Sequence, residues 1–338
     1  MGFILPAIYL FNFIANFSTM QFTTQIPIPI SNNPINYNSR IVSLGSCFAV
    51  NIGQKFDYFK FKNTTNPFGI LFHPLALLKF IGYAVNNKTF TDADVFYHNE
   101  RWHCYDAHSD LSHRDKEVLL ANLDSATASA HTEIKQATHI IITLGTAWVY
   151  RHIENDNLVA NCHKVPQKQF TKELLSVETI TQSLQNIIHL IGQVNSNAQI
   201  IFTVSPVRHI KDGFTQNQWS KANLIAALHN MLQISSSGVI GLEYFASYEI
   251  MMDELRDYRF YAEDMIHPNS TAIDYIWERF TQTHITMEAQ ETMKAVEVIQ
   301  KGLQHRSFNP ESAQHLQFLK NLQHKTQLLQ QQHPHITF

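Results

Sequence analysis

Ile41-Val-Ser-Leu44, closed by Gly45-Ser46-Cys47-Phe48, is the stretch from which the rest of the chain can be read. It is a short apolar run rich in β-branched residues, followed at once by a glycine and a helix-like segment. Three more runs have the same character: His139-Ile-Ile-Ile-Thr-Leu144, Gln199-Ile-Ile-Phe-Thr-Val204 and Val239-Ile-Gly-Leu242. Runs that are apolar throughout, instead of alternating, suit strands covered on both faces, as in parallel sheets. Helix-like stretches lie between them, at residues 47–59, 74–85, 115–131, 171–193 and 218–232. Strand then helix, repeated, implies right-handed crossovers and an α/β layer architecture. Thr171-Lys172 is the expected start of the fourth helix, and Thr215-Gln216 of the fifth.

Two regions break the alternation. Residues 86–112 are polar and rich in His and aromatics, the composition of an irregular insertion able to cover a cleft. Beyond residue 285 the chain reads as a helical, Gln- and His-rich extension, with Leu316, Phe318, Leu319, Leu322 and Leu328 spaced as a helix lying on the domain or reaching for a partner. The apolar segment 1–20 has no Lys or Arg before Arg40, and Asn12 and Asn16 interrupt it. It lacks the positive start of an export signal and the length of a membrane span. Met20 is an alternative start, with a cytoplasmic protein as its consequence; export or anchoring follows if residues 1–19 are retained.

Of the 338 residues 44% are apolar and 16% charged, the balance of an ordered globular chain. With 25 Lys and Arg against 28 Asp and Glu, the net charge of −3 offers no field for nucleic acid. Three cysteines far apart form neither a disulfide framework nor a zinc ribbon. The nineteen histidines include a cluster at His103, Cys104, His108 and His113, without the tight pairing zinc prefers. Dinucleotide binding would need second and third glycines in the Gly45 turn, which are absent. No metal and no cofactor is expected.

In an open α/β sheet, ligands bind beyond the carboxyl ends of the strands. There the chain places Gly45-Ser46-Cys47, Gly145-Thr146 and Ser205-Pro-Val-Arg-His209. Ser46 stands at a helix front, where free N–H groups favour a developing oxyanion. A serine hydroxyl needs a base oriented by a carboxylate, and Asp264-Met-Ile-His267 supplies both at a spacing of three. The plain reading of Ser46 is a helix N-cap. Cys47 is a rival nucleophile or a small buried hydrophobe. His209 reads as an acid–base helper or a structural hydrogen-bonder, and Arg208 as an anion anchor or one half of a salt bridge.

The run Ile41 to Ala49 with Asn51-Ile-Gly53 strongly resembles the signature of the GSCFA family, and the blocks Asn66-Pro-Phe-Gly-Ile70, Thr143 to Val149, Ser205 to His209 and Asp264 to Pro268 look like the rest of it. That family is similar to the SGNH/GDSL hydrolases. The resemblance implies a flavodoxin-like α/β/α sandwich with about five parallel strands over residues 21–285. It implies a nucleophile at Ser46 with Asp264 and His267 as its partners, Gly69 and Gly145 as the second- and third-block glycines, and an ester substrate, with acyl groups on carbohydrate as one class. Where those enzymes carry an oxyanion Asn, this chain has Ala147. The hole is then left to the amides of Ser46 and Gly145, with Thr146 or Asn66 as substitutes. Two rivals stand beside this reading: an acyltransferase on the same triad, decided by how well residues 86–112 exclude water, and a non-catalytic binding module. The oligomeric state is not legible.

Overall fold

In a computed structural model, residues 23–234 and 241–338 are described, so the apolar segment 1–20 lies outside the described residues. The central sheet has five strands: β1 (Arg40–Gly45), β2 (Lys62–Thr65), β3 (His139–Leu144), β4 (Gln199–Val204) and β5 (Leu242–Phe245). They lie in the order β5-β4-β3-β1-β2, every neighbouring pair parallel, which is the flavodoxin-like order expected. Two of the four apolar runs match their strands end to end, and β1 extends its run by one residue on each side. The last strand begins only at Leu242; Val239 and Ile240 lie outside the described residues. β2, Lys-Asn-Thr-Thr, has no apolar side chain and was not legible as a strand. It pairs only with β1, at the sheet edge, where one flank needs no apolar partner.

Side chains alternate along the strands, so each face of the sheet has its own core. Val42, Leu44, Ile140, Ile142, Phe202 and Val204 pack on one face with α2 (Pro74–Val85), α3 (Lys116–Gln136), α4 (Val177–Val194) and α5 (Phe214–Ile234). Ile41, Ile141, Ile201 and Phe245 pack on the other with α1 (Cys47–Tyr58) and α6 (Ser270–His284). The extension consists of two helices, α7 (Met287–Gln304) and α8 (Ala313–Gln332). Val296, Ile299, Leu322, Leu329 and Ile336 join this second core, while Leu316, Leu319 and Leu328 remain exposed.

Two expectations are corrected. Residues 171–193 do not form one helix: Phe170–Leu174 is a strand paired antiparallel with Trp148–His152, and α4 starts only after Ser176, whose side chain accepts the Thr179 N–H. Phe-Thr-Lys-Glu-Leu lies at the edge of its sheet with only Phe170 buried, and the partner strand decides its conformation over local helix propensity. Residues 86–112 are not structureless either, since Phe96–His98 and Arg101–His103 form a hairpin.

Candidate active site

The chain runs from β1 out to β2 on one side and later to β3 on the other, which makes the carboxyl ends of β1 and β3 the switch point where a crevice opens. The turn there is tight. Gly45 has φ 128°, and a Cβ on it would stand 2.1 Å from the Thr143 carbonyl oxygen of β3, so only glycine fits. Its N–H donates to Asn66 Oδ1 at 2.8 Å. Ser46 follows as the N-cap of α1 in extended conformation, but its side chain caps nothing. Its hydroxyl is fully buried and has no partner among the described residues, and its N–H donates to Thr143 O at 3.1 Å.

Cys47, the first residue of α1, is half-buried and lines a cleft. Burial pushes its thiol up from the ordinary range, while the buried ammonium of Lys221 and the N–H groups of Cys47 and Phe48 pull the other way. A cleft of about 490 Å³ lies in front of it. Its lining includes Cys47 at the front of α1, Phe72 before α2, Thr146 after β3, Trp148 and Tyr150 from the antiparallel sheet, Cys162 from the loop that follows, Arg208 and His209 after β4, and His267. The wall expected from residues 86–112 is built instead by residues 148–162; the hairpin stands behind, Phe96 stacking on Tyr105 at 3.9 Å.

His267 belongs to a self-locked loop. Asp264 Oδ1 accepts the N–H groups of Ile266 at 2.9 Å and His267 at 3.0 Å, while Oδ2 faces His267 Nδ1 at 2.6 Å. These donors hold the Asp264 carboxyl down to about 2, so it stays ionised and fixes the proton on Nδ1. Nε2 is thereby left as the acceptor. The Ala262 N–H bonds back to His267 O, and the Arg208 backbone N–H and Nη1 bond to Ile266 O and Met265 O, tying the loop to the end of β4.

The GSCFA family model matches residues 40–280. The chain belongs to the GSCFA family. A further model, the C-terminal domain of GSCFA domain proteins, matches residues 296–338, across α7 and α8. No curated protein matches this GSCFA chain.

The GSCFA motif letters thus divide between turn, buried floor and cleft wall. Of the residues singled out from sequence, His267, Thr146, Arg208 and His209 line the cleft, whereas Ser46, Gly69 and Asn66 do not. Gly69 has φ 77° and lies against the His108 side chain, as a turn glycine. The Gly145 and Thr146 N–H groups both donate to Phe72 O at 2.9 Å, so neither is free for an oxyanion, and Thr146 Oγ1 is taken by Ser220 and the Trp148 N–H. The first-turn amides of Cys47 and Phe48 remain. The Arg208 side chain bonds to Met265 O and, among the described residues, pairs with no acidic group; its guanidinium lies 5.4–5.8 Å from the rings of Phe214, Tyr258 and Tyr261. His209 is held neutral, down to about 3, by burial and the nearby charges of Lys221 and His267. The His103–His113 cluster is spent on local bonds, His103 to Ser112 and His98 O, His113 to the Asp115 N–H. Among the described residues no group of three such side chains could hold a metal ion, and no helix is long and apolar enough to cross a membrane.

Sequence reading missed Lys221. Its side chain is 1% exposed, and Nζ donates to Gly145 O and Ser205 O, each at 2.7 Å. The signal was available: Asn217, Ser220, Lys221, Leu224, Leu228 and Met231 recur at helical spacing on the buried stripe of α5, and a lysine does not belong there without a task.

Proposed function

We propose that this chain is an ester hydrolase working by nucleophilic acyl transfer, with Cys47 as nucleophile, His267 as general base and Asp264 as the group that orients it. The observation that carries this reading is the imidazole locked by its carboxylate at 2.6 Å, opening onto the same cleft as the thiol at the front of α1. The thiol gives its proton to His267 Nε2 as sulfur attacks the ester carbonyl carbon. The oxyanion faces the first-turn N–H groups of Cys47 and Phe48, which turn from the sulfur as its charge passes to the oxygen, favoured by the helix dipole. Collapse expels the alcohol, protonated by His267, and leaves a thioester. Water then attacks with His267 again as base, releasing the acid and the thiol. The resemblance to SGNH/GDSL hydrolases supports the reaction class, and acyl groups on carbohydrate are the substrates it suggests.

Ser46 gives a second reading, favoured by one observation: its hydroxyl is buried with no partner among the described residues, a cost that structure alone does not require. Quenching a reaction with p-nitrophenyl acetate and mapping the acetylated peptide separates the two. Acetyl on Cys47, labile to hydroxylamine, supports the thiol; acetyl on Ser46 supports the hydroxyl. Neither adduct nor turnover across a panel of short esters would leave a binding module on this fold.

A further inference from the structure

An ammonium buried without a carboxylate is expensive, because its hydration is lost and no opposite charge replaces it. Lys221 is in that position. It forms no ion pair among the described residues; its donors meet only the carbonyls of Gly145 and Ser205, and the Tyr248 ring lies 5.6 Å away. These carbonyls sit just past the carboxyl ends of β3 and β4, next in the chain to or close before Thr146 and Val207, which line the cleft together with Cys47. Gly145 itself packs against the front of α1, since a Cβ on it would stand 3.1 Å from Ser46 Cβ. Among the described residues, the titratable groups around this floor are Cys47 on α1, His209 after β4, His267 before α6 and Tyr248 after β5, and the nearest cleft carboxylates, Asp212 and Asp264, are paired with Lys172 and His267 respectively.

We propose that Lys221 is a positioning residue for the reaction: pinned by two strand-end carbonyls beneath the front of α1, its ammonium is the counter-charge that stabilises the Cys47 thiolate formed when His267 takes the thiol proton. The proposal rests on Cys47 as nucleophile, and it explains why a cation is retained where a neutral donor would satisfy both carbonyls. Burial opposes ionisation of both groups, raising the thiol and lowering the amine to about 7, and each charge relieves the other. By linkage, removing either partner must then shift the titration of the one left behind.

The test is the rate of iodoacetamide alkylation against pH, followed by mass spectrometry on the peptide containing Cys47, so that Cys104 and Cys162 do not contribute. No ester turns over in this assay, so it can fail while hydrolysis stands, and the reverse. Lys221→Gln keeps a donor for the carbonyls and removes the charge. Its midpoint should rise by about one pH unit or more, with alkylation about tenfold slower below the midpoint. An unchanged profile in a folded Lys221→Gln protein overturns the proposal. If Lys221 variants do not fold, the reciprocal measurement decides: NMR of the lysine side chain in the wild-type protein and in Cys47→Ala. Loss of the thiol should lower the Lys221 titration, and an unmoved lysine overturns the proposal equally.

Discussion

The loop carrying Asp264 and His267 and the floor beneath the front of α1 hold their polar groups in opposite ways. The loop is contiguous in sequence and half open to solvent, and it orders itself through bonds within residues 262–268. The floor is gathered from β1, Asn66, Gly145, Ser205 and Lys221, is buried, and has two side chains, Ser46 and Asn66, with atoms that find no partner among the described residues. A self-locked loop can be cut without disturbing the core, whereas a shared floor couples chemistry to stability. Substitutions at the two places should therefore part activity from folding in opposite directions.

The largest expected effect is at the loop. His267→Ala, and Asp264→Asn, which keeps an acceptor for the two backbone N–H groups but loses the charge facing Nδ1, should each lower kcat/KM for p-nitrophenyl acetate by about 10⁴-fold. The unfolding free energy of His267→Ala should stay within the range of surface substitutions, about 0.5 kcal/mol either way. A fall in stability as large as the fall in activity would show that the loop is not independent of the floor.

Next in size is the response to acid. Burial holds His73, His163 and His284 down to about 4 and His209 to about 3. These imidazoles stay neutral in the folded chain but take up protons near pH 6.5 when unfolded. The unfolded state then binds more protons, so stability is complete above about pH 6.5 and falls as pH drops towards 4. Each site contributes about 1.4 kcal/mol per pH unit in that window. Asp264, held down to about 2, adds a further loss only below the ordinary carboxylate range. Denaturant titrations at several pH values measure the slope; a flat profile between pH 6.5 and 5 would mean these rings are protonated in the fold.

The same contrast explains what was legible in the sequence. Runs dominated by β-branched and other apolar residues announced β1, β3 and β4, because strands buried on both faces carry few polar positions to confuse the period. Asp264 and His267 were legible because one loop contains both. The cleft wall from residues 148–162 was not, since its small sheet exists only through pairing with Phe170–Leu174, a stretch whose local pattern suits a helix as well. Nor was the fate of the Gly145 amide, which depends on Phe72 from another part of the chain. Sequence reading ranked Ser46 above its neighbour Cys47, because nothing in the residue types tells which of the two meets the cleft. The cap conformation at Ser46 turns one side chain into the floor and the next into the cleft.

The smallest effect sharpens that last point. Replacing a capping serine by alanine ordinarily costs about 1 kcal/mol, because a helix N–H loses its acceptor. Ser46 makes no such bond, and its hydroxyl is desolvated without return among the described residues. Ser46→Ala should therefore be neutral or stabilising by up to about 1 kcal/mol, a rise in Tm of about 2–4 °C. The pH profile of Cys47 alkylation should keep its midpoint, since neither Lys221 nor the α1 amides are touched. A destabilised Ser46→Ala protein would point to a hydrogen bond or bound water that the hydroxyl serves. A shifted profile with normal stability would make Ser46 part of the proton path at the front of α1, and the boundary between floor and cleft would have to be redrawn there.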